Sequence, residues 1–166
     1  MFKKLTLAAL AAATLTSAAS AIDIHVGASS VDAGRYGSGI EYSIGYGWDN
    51  RDKQTNGTGF YWGGSFDLGM AQLDTEDLTN FSFDLKLGYS PVKDLAVYAI
   101  GSGAIQGIED TNSYGFGYGA GVDYKISDSF AVAAEYKTYT MTPDINGYAG
   151  VDYDYDKIGV NLKYVF

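Results

Sequence analysis

The sequence predicts an all-β chain in which eight antiparallel strands run up and down and close into a barrel that spans a membrane. Three observations predict it. Apolar residues recur at every second position through eight separate segments, the period of a strand with two unlike faces. The chain holds 22 glycines and 15 tyrosines against two prolines, a mixture that weakens helices and suits strands. The face opposite the apolar one is built from glycine, serine, alanine and a few charges, whereas a water-facing sheet would carry more Lys, Glu, Thr and Gln.

The first 21 residues stand apart from this pattern. Lys3 and Lys4 form a charged start, Leu5 to Leu15 is an alanine-rich apolar run, and Ala19-Ser20-Ala21 is a small-residue cleavage site. This is the layout of a secretory signal peptide cut between Ala21 and Ile22. The apolar run is too short for a membrane-anchoring helix. The barrel is then expected over residues 22–166, a length suited to one domain. Cysteine is absent, which excludes a disulfide framework and a thiolate metal site. With 20 acidic against 11 basic residues, the chain is a poor partner for nucleic acid.

The strands follow in order. Ile22, Ile24, Val26 and Ala28 alternate with Asp23, His25, Gly27 and Ser29, before turn-rich residues from Asp32 to Ser38. Ile40, Tyr42, Ile44, Tyr46 and Trp48 alternate with Glu41, Ser43, Gly45 and Gly47, and Asp49 to Gly57 reads as a loop. Phe60, Trp62, Phe66, Leu68 and Met70 alternate with Tyr61, Gly63, Ser65, Asp67 and Gly69; Ala71 to Asn80 reads as a loop. Phe81, Phe83, Leu85, Leu87 and Tyr89 alternate with Ser82, Asp84, Lys86 and Gly88, and Pro91 suits the second position of a tight turn from Ser90 to Asp94.

Leu95 to Gly103 is a fifth strand with both parities apolar, so its facing is not assigned, and Ile105 to Asn112 reads as a loop. Tyr114, Phe116, Tyr118, Ala120, Val122, Tyr124 and Ile126 alternate with four glycines, Asp123 and Lys125. After a turn at Ser127-Asp128-Ser129, Phe130, Val132, Ala134 and Tyr136 alternate with Ala131, Ala133, Glu135 and Lys137. A loop from Thr140 to Asp152 leads to the last strand. There Ile158, Val160, Leu162, Tyr164 and Phe166 alternate with Lys157, Gly159, Asn161 and Lys163.

The apolar runs mostly cover about 9–11 residues, the reach of a tilted transmembrane strand. Short turns at Ser90 and Ser127 alternate with longer loops at Ala71, Ile105 and Thr140, an asymmetry expected of a membrane barrel. The long segment from Asp49 to Gly57 departs from it. A soluble lipocalin-like barrel, apolar inside, is the competing architecture. Parity favours lipid outside. In that frame the strands place Asp23, Glu41, Asp67, Asp84, Asp123 and Glu135 inside with Lys86, Lys125, Lys137, Lys157 and Lys163, nearly balanced charges that can pair in a narrow lumen. No charge then falls within a lipid-facing run of any strand whose facing is assigned. Tyr42, Tyr46, Trp48, Phe60, Trp62, Tyr89, Tyr114, Tyr118, Tyr136, Tyr164 and Phe166 take the apolar parity, many near strand ends, as rings at a lipid–water boundary would.

These features resemble the small outer-membrane barrels of Gram-negative bacteria, the OmpA/OmpX-type superfamily. The strand and turn from Tyr118 to Ser129 and the terminal strand carry the likeness most clearly. The resemblance implies that Ile158, Val160, Leu162, Tyr164 and Phe166 are an assembly signal read by the barrel assembly machinery. It also implies outer-membrane lipids and lipopolysaccharide as surroundings. No domain follows Phe166, so a peptidoglycan-binding role is not expected.

Chemistry is sparse. Lipid A-modifying enzymes resemble this fold and use His with Ser, but the one histidine, His25, lies ~13 Å along the strand from Ser29 at ~3.3 Å per residue. A serine on another strand, such as Ser43, stands as the alternative. The expected role of His25 is membership of the interior polar network, and the chain is expected not to be an enzyme. Neither a cofactor nor a metal site is expected. Eight strands leave room only for side chains, so a plugged lumen is expected, with a narrow porin-like channel as the alternative. The outer loops hold Asp32, Asp74, Glu76, Asp77, Glu109, Asp110, Asp144, Asp152, Asp154 and Asp156 against Arg35. Carboxylates there, Asp152, Asp154 and Asp156 above all, suit divalent cations or surface ligands, although no loop has EF-hand spacing.

Overall fold

The computed structural model describes residues 21–53, 58–74, 76–108, 111–145 and 148–166. The expected signal peptide, apart from Ala21, and Glu109 and Asp110 lie outside the described residues. The strands are β1 (Ala21–Asp32), β2 (Ser38–Asp49), β3 (Gly59–Gln72), β4 (Asp77–Val92), β5 (Leu95–Ile108), β6 (Thr111–Lys125), β7 (Phe130–Ile145), the two-residue β8 (Tyr148–Ala149) and β9 (Tyr153–Val165). Every pairing is antiparallel, and β8 pairs only with the end of β7. The eight long strands follow one another round the sheet, and β1 pairs with β9 to close it. Closure leaves no sheet edge to be satisfied by solvent, the condition for crossing lipid with strands.

Closure is staggered. From Ile22, successive partners are Trp48, Gly64, Leu85, Gly101, Tyr118, Thr138 and Asp156, and Asp156 pairs back to β1 at Asp32. The walk therefore returns ten residues up the strand on which it began. With rises of ~3.3 Å per residue and strands ~4.8 Å apart, that stagger tilts the strands by about 40°.

The outer face is apolar. Ile24, Val26, Ile44, Leu85, Leu87, Val97, Val160 and Leu162 are all exposed on it, an area no water-soluble monomer leaves open. Charges of the same strands face inward and are buried, which excludes the soluble lipocalin-like alternative. Rings rim the belt. Phe60, Tyr89, Tyr124, Phe130, Tyr164 and Phe166 lie toward the end that holds both termini, and Tyr42, Phe81, Tyr114, Phe116 and Tyr136 toward the other. Trp48 has the outward parity but is buried, because its ring lies over Gly64 and beside Tyr46, Phe66 and Phe83.

Several boundaries differ from the sequence expectation. The segments 71–80, 105–112 and 140–152 are mostly strand, which leaves only 73–76, 109–110 and 146–152 outside the long strands there. The loops at this end are thus not systematically the longer ones. Above the apolar belt the alternation continues with its faces exchanged: Thr79, Asn112, Thr140 and Asp154 are exposed, while Leu78, Met141 and Tyr155 are buried. A pattern defined by an apolar outer face stops where water replaces lipid. Pro91 is not at the centre of a turn. It lies in the end of β4 at a register irregularity between Tyr89 and Val92, a position that tolerates its missing N–H.

Facing of β5 is now assigned. Ala96, Tyr98, Ile100, Ser102 and Ala104 point inward and are buried, while Val97, Ala99 and Ile105 point outward.

Candidate functional site

The lumen holds the chemistry. It has three levels, set by the stagger of the strands. At the terminus end, Tyr61 and Tyr98 stack with ring centroids 5.2 Å apart. Arg51 closes this end, and sequence reasoning missed it because it sits in the connection after β2. A short helical turn, Arg51–Lys53, carries it back over the lumen. Arg51 Nη2 donates to Asp49 Oδ2 at 2.8 Å and Nη1 to Asp123 Oδ1 at 2.7 Å. The unexpected length of this connection thus has a use: it supplies a buried cation. A polar loop segment contains no period that would have pointed inward.

The middle level is filled by two runs of ion pairs, one ending at Asp67 and the other beginning at Asp84, with the Ser65 hydroxyl between them. Lys163 Nζ lies 2.8 Å from Asp123 Oδ2 and 3.7 Å from Asp23 Oδ2. His25 sits between two carboxylates, with Nδ1 2.7 Å from Asp23 Oδ1 and Nε2 2.8 Å from Asp67 Oδ1. An ionised carboxylate only accepts, so a proton on each ring nitrogen satisfies both contacts. Ser65 Oγ donates to Asp67 at 3.0 Å. Lys137 Nζ lies 2.6 Å from Asp84 Oδ2 and 3.4 Å from Glu135 Oε2, and Lys86 Nζ lies 2.6 Å from Glu135 Oε1. The Tyr98 hydroxyl donates to Glu135 at 2.8 Å, and Ser102 bridges Asp84 and the Tyr139 hydroxyl. Higher up, Glu41 accepts from Lys157 and from the Tyr155 hydroxyl.

All but one of the eleven charged residues named from the sequence for the lumen are buried there: Asp23, Glu41, Asp67, Asp84, Lys86, Asp123, Glu135, Lys137, Lys157 and Lys163. Lys125 departs from the set. It lies at the rim, partly exposed, and pairs with Asp52 at 3.1 Å. The four glycines of β6 from Gly115 to Gly121 make the network fit. A side chain at Gly117 would strike the Tyr139 ring, and one at Gly119 would meet Lys137.

The third level, at the mouth away from both termini, is apolar. Val31, Ala33, Leu73, Leu78, Ile108 and Met141 pack there with Tyr139, Tyr153 and Tyr155. Burial raises the Tyr153 phenol above its ordinary range, and its hydroxyl donates to Gln106 Oε1 at 2.9 Å. Outside this mouth Asp152 accepts from the Thr142 hydroxyl and Asp156 from the Tyr136 hydroxyl. Among the described residues no three acidic, His or Cys side chains are grouped to hold a metal ion.

An apolar belt around a lumen filled by ionised side chains is the construction of an integral β-barrel, and the chain is such a barrel of the bacterial outer membrane. A family model described as the outer membrane protein beta-barrel domain matches residues 5–166, and the chain belongs to that family. Three solved structures share the fold. Neisserial surface protein A superposes with a TM-score of 0.56 and 11% identity, over 87% of this chain and 95% of that one. The N-terminal β-barrel domain of Pseudomonas aeruginosa OprF gives 0.56 and 15%, over 88% and 97%. The outer membrane enzyme PagL gives 0.51 and 14%, over 84% and 97%. No curated protein matches the chain by sequence.

Proposed function

We propose that this protein is a structural, surface-facing barrel of the outer membrane whose lumen is closed to solutes. The observation that carries this reading is the network from Asp49 to Glu135, to which all eight long strands contribute a side chain. Pairs of opposite sign occupy the width of an eight-stranded barrel, and the apolar mouth covers them on the outer side. Beyond the mouth, Asp32, Asp74, Asp77, Asp144, Asp152 and Asp154 make an acidic surface, suited to a lipopolysaccharide layer and to the divalent cations that carboxylates attract. The alternating Ile158, Val160, Leu162, Tyr164 and Phe166 are read by the barrel assembly machinery, and the signal peptide is removed after Ala21.

A catalytic role is not proposed. Both ring nitrogens of His25 are engaged by carboxylates, and no serine hydroxyl among the described residues hydrogen-bonds to it. His25 also faces the lumen, away from the lipid that a lipid-modifying site would address. Planar-bilayer recording of the refolded protein tests the proposal. Silence is expected; steady unit conductance would replace the closed barrel with the narrow channel.

A further inference from the structure

The lipid-facing surface is not uniform. Across β6, β7, β9 and β1 its middle carries short side chains. Val122, Ala134, Val160 and Ala28 follow one another as cross-strand partners, and Ala120 lies one row higher on β6. In that higher row Tyr136 and Ile158 pair across the β7–β9 ladder and stand out from the surface. The alanines leave a depression of about 600 Å3 between these taller side chains. Pockets for small organic ligands span about 300–1,000 Å3. Tyr136 and Ile158 also line a smaller hollow of about 110 Å3, together with Ser30, Asp32 and Asp156. The shared walls make the two hollows one track, which runs from the apolar belt to the water boundary.

Two carboxylates stand at the upper end of the track. Asp32 on β1 and Asp156 on β9 are direct cross-strand partners, which puts their Cβ atoms about 4.5–5.5 Å apart. Like charges so placed repel each other. Asp32 accepts from the Gly34 N–H at 2.9 Å, and Asp156 from the Tyr136 hydroxyl at 3.1 Å. Neither forms an ion pair among the described residues. Lys157, next along the chain, points into the lumen and is held by Glu41. An occupant of the track must therefore be apolar beside the alanines. It must be cationic above Ile158, two residues or about 7 Å further along the strand.

We propose that this track docks a phospholipid whose headgroup carries a primary amine. One acyl chain fills the alanine-lined depression, and the ammonium sits between Asp32 and Asp156. Charge complementarity selects the head. A primary ammonium offers three N–H donors, which the two carboxylates accept, and its charge relieves their repulsion. A quaternary ammonium has no N–H to give, and an anionic head is repelled. A divalent cation fits less well: calcium takes about 6–8 oxygen ligands, and no three acidic, His or Cys side chains are grouped among the described residues. The docking track depends on the belt facing lipid and holds whether or not the lumen conducts.

The test is native mass spectrometry of the refolded barrel in detergent micelles that contain phosphatidylethanolamine, phosphatidylcholine or phosphatidylglycerol with matched chains. Phosphatidylethanolamine should bind about tenfold more tightly than either of the others, the gain one hydrogen bond to a charged group supplies. Equal retention of the three overturns the proposal. Asp32→Asn combined with Asp156→Asn should erase the preference, and heat-modifiable migration checks that this variant is folded. A preference that survives there also overturns it. Ala134→Phe fills the depression and should weaken binding of all three lipids; undiminished binding would remove the groove. Phosphatidylglycerol held in magnesium and released by a chelator would overturn the choice of head, because the pair would then hold a divalent cation.

Discussion

Arg51 Nη1 meets Asp123 Oδ1 at 2.7 Å across the lumen, from the connection after β2 to a strand halfway round the barrel. The same guanidinium holds Asp49, and Asp123 in turn holds Lys163. A residue from a surface connection thus anchors one end of the interior network.

Arg51→Met should therefore be costly although Arg51 belongs to no strand. Removing one member of a buried pair leaves the other charge uncompensated, worth about 3–5 kcal/mol. Urea unfolding in lipid vesicles, followed by the fluorescence of Trp48 and Trp62, should show the loss. A variant within about 0.5 kcal/mol of wild type, the range expected of surface changes, would mean that Arg51 does not enter the lumen.

The exchange of faces above the belt predicts opposite outcomes for the same substitution. Ala134→Arg, within the apolar belt, should destabilise by about 2–4 kcal/mol, the cost of a cation near the bilayer midplane. Thr140→Arg lies on the same face of β7 but beyond the belt, next to Asp154 on β9, and should be nearly neutral. Equal effects in folding titrations would place the membrane boundary elsewhere.

Gly117 has its own test. The Tyr139 ring occupies the space a side chain there would need, with the nearest ring atom 2.5 Å from an ideal Cβ. Gly117→Leu should overpack the lumen, costing about 1–3 kcal/mol. Pairing it with Tyr139→Ala should recover part of that loss. A double variant no better than the sum of its parts would show that the two positions do not meet.

Phe166 donates its backbone N–H to Ile22 O at 2.9 Å, and its ring packs edge-on against Tyr164. Deleting Phe166 should reduce insertion into the outer membrane far more than Asp152→Ala. Heat-modifiable migration in cell-envelope fractions measures this; normal levels of the folded band without Phe166 would remove its role as a signal.

Much of this fold was legible because lipid imposes one rule on every strand. Ile158 to Phe166 and Tyr114 to Ile126 keep a single parity, and the structure places both as the pattern predicts. The facing of β5 was hidden because Ala96 and Ile100, which line the lumen, are as apolar as Val97 and Ile105, which face lipid. The mouth was hidden for a related reason. Val31, Leu73, Leu78, Ile108 and Met141 sit on the inward parity, and read alone they look like breaks in the alternation rather than its inversion. Tyr61, Tyr98, Tyr139 and Tyr155 line the interior through their hydroxyls or ring faces, and tyrosine serves lipid boundary and lumen equally well. Arg51 could have been suspected only from charge: seven buried carboxylates, Asp49 included, outnumber the four buried lysines.

The seam between β1 and β9 bears on how fast the molecule forms. All other ladders join strands that follow each other along the chain, over connections of at most nine residues. The seam joins Asp23 to Val165 and so spans nearly the whole chain. Loop-closure entropy grows with the logarithm of the separation, and non-local pairing slows folding. The kinetic barrier should therefore sit in this one zippering event, with the hairpins already made. Substitutions along β1 and β9 would then slow folding, whereas equally destabilising changes in β4 or β5 would mainly speed unfolding.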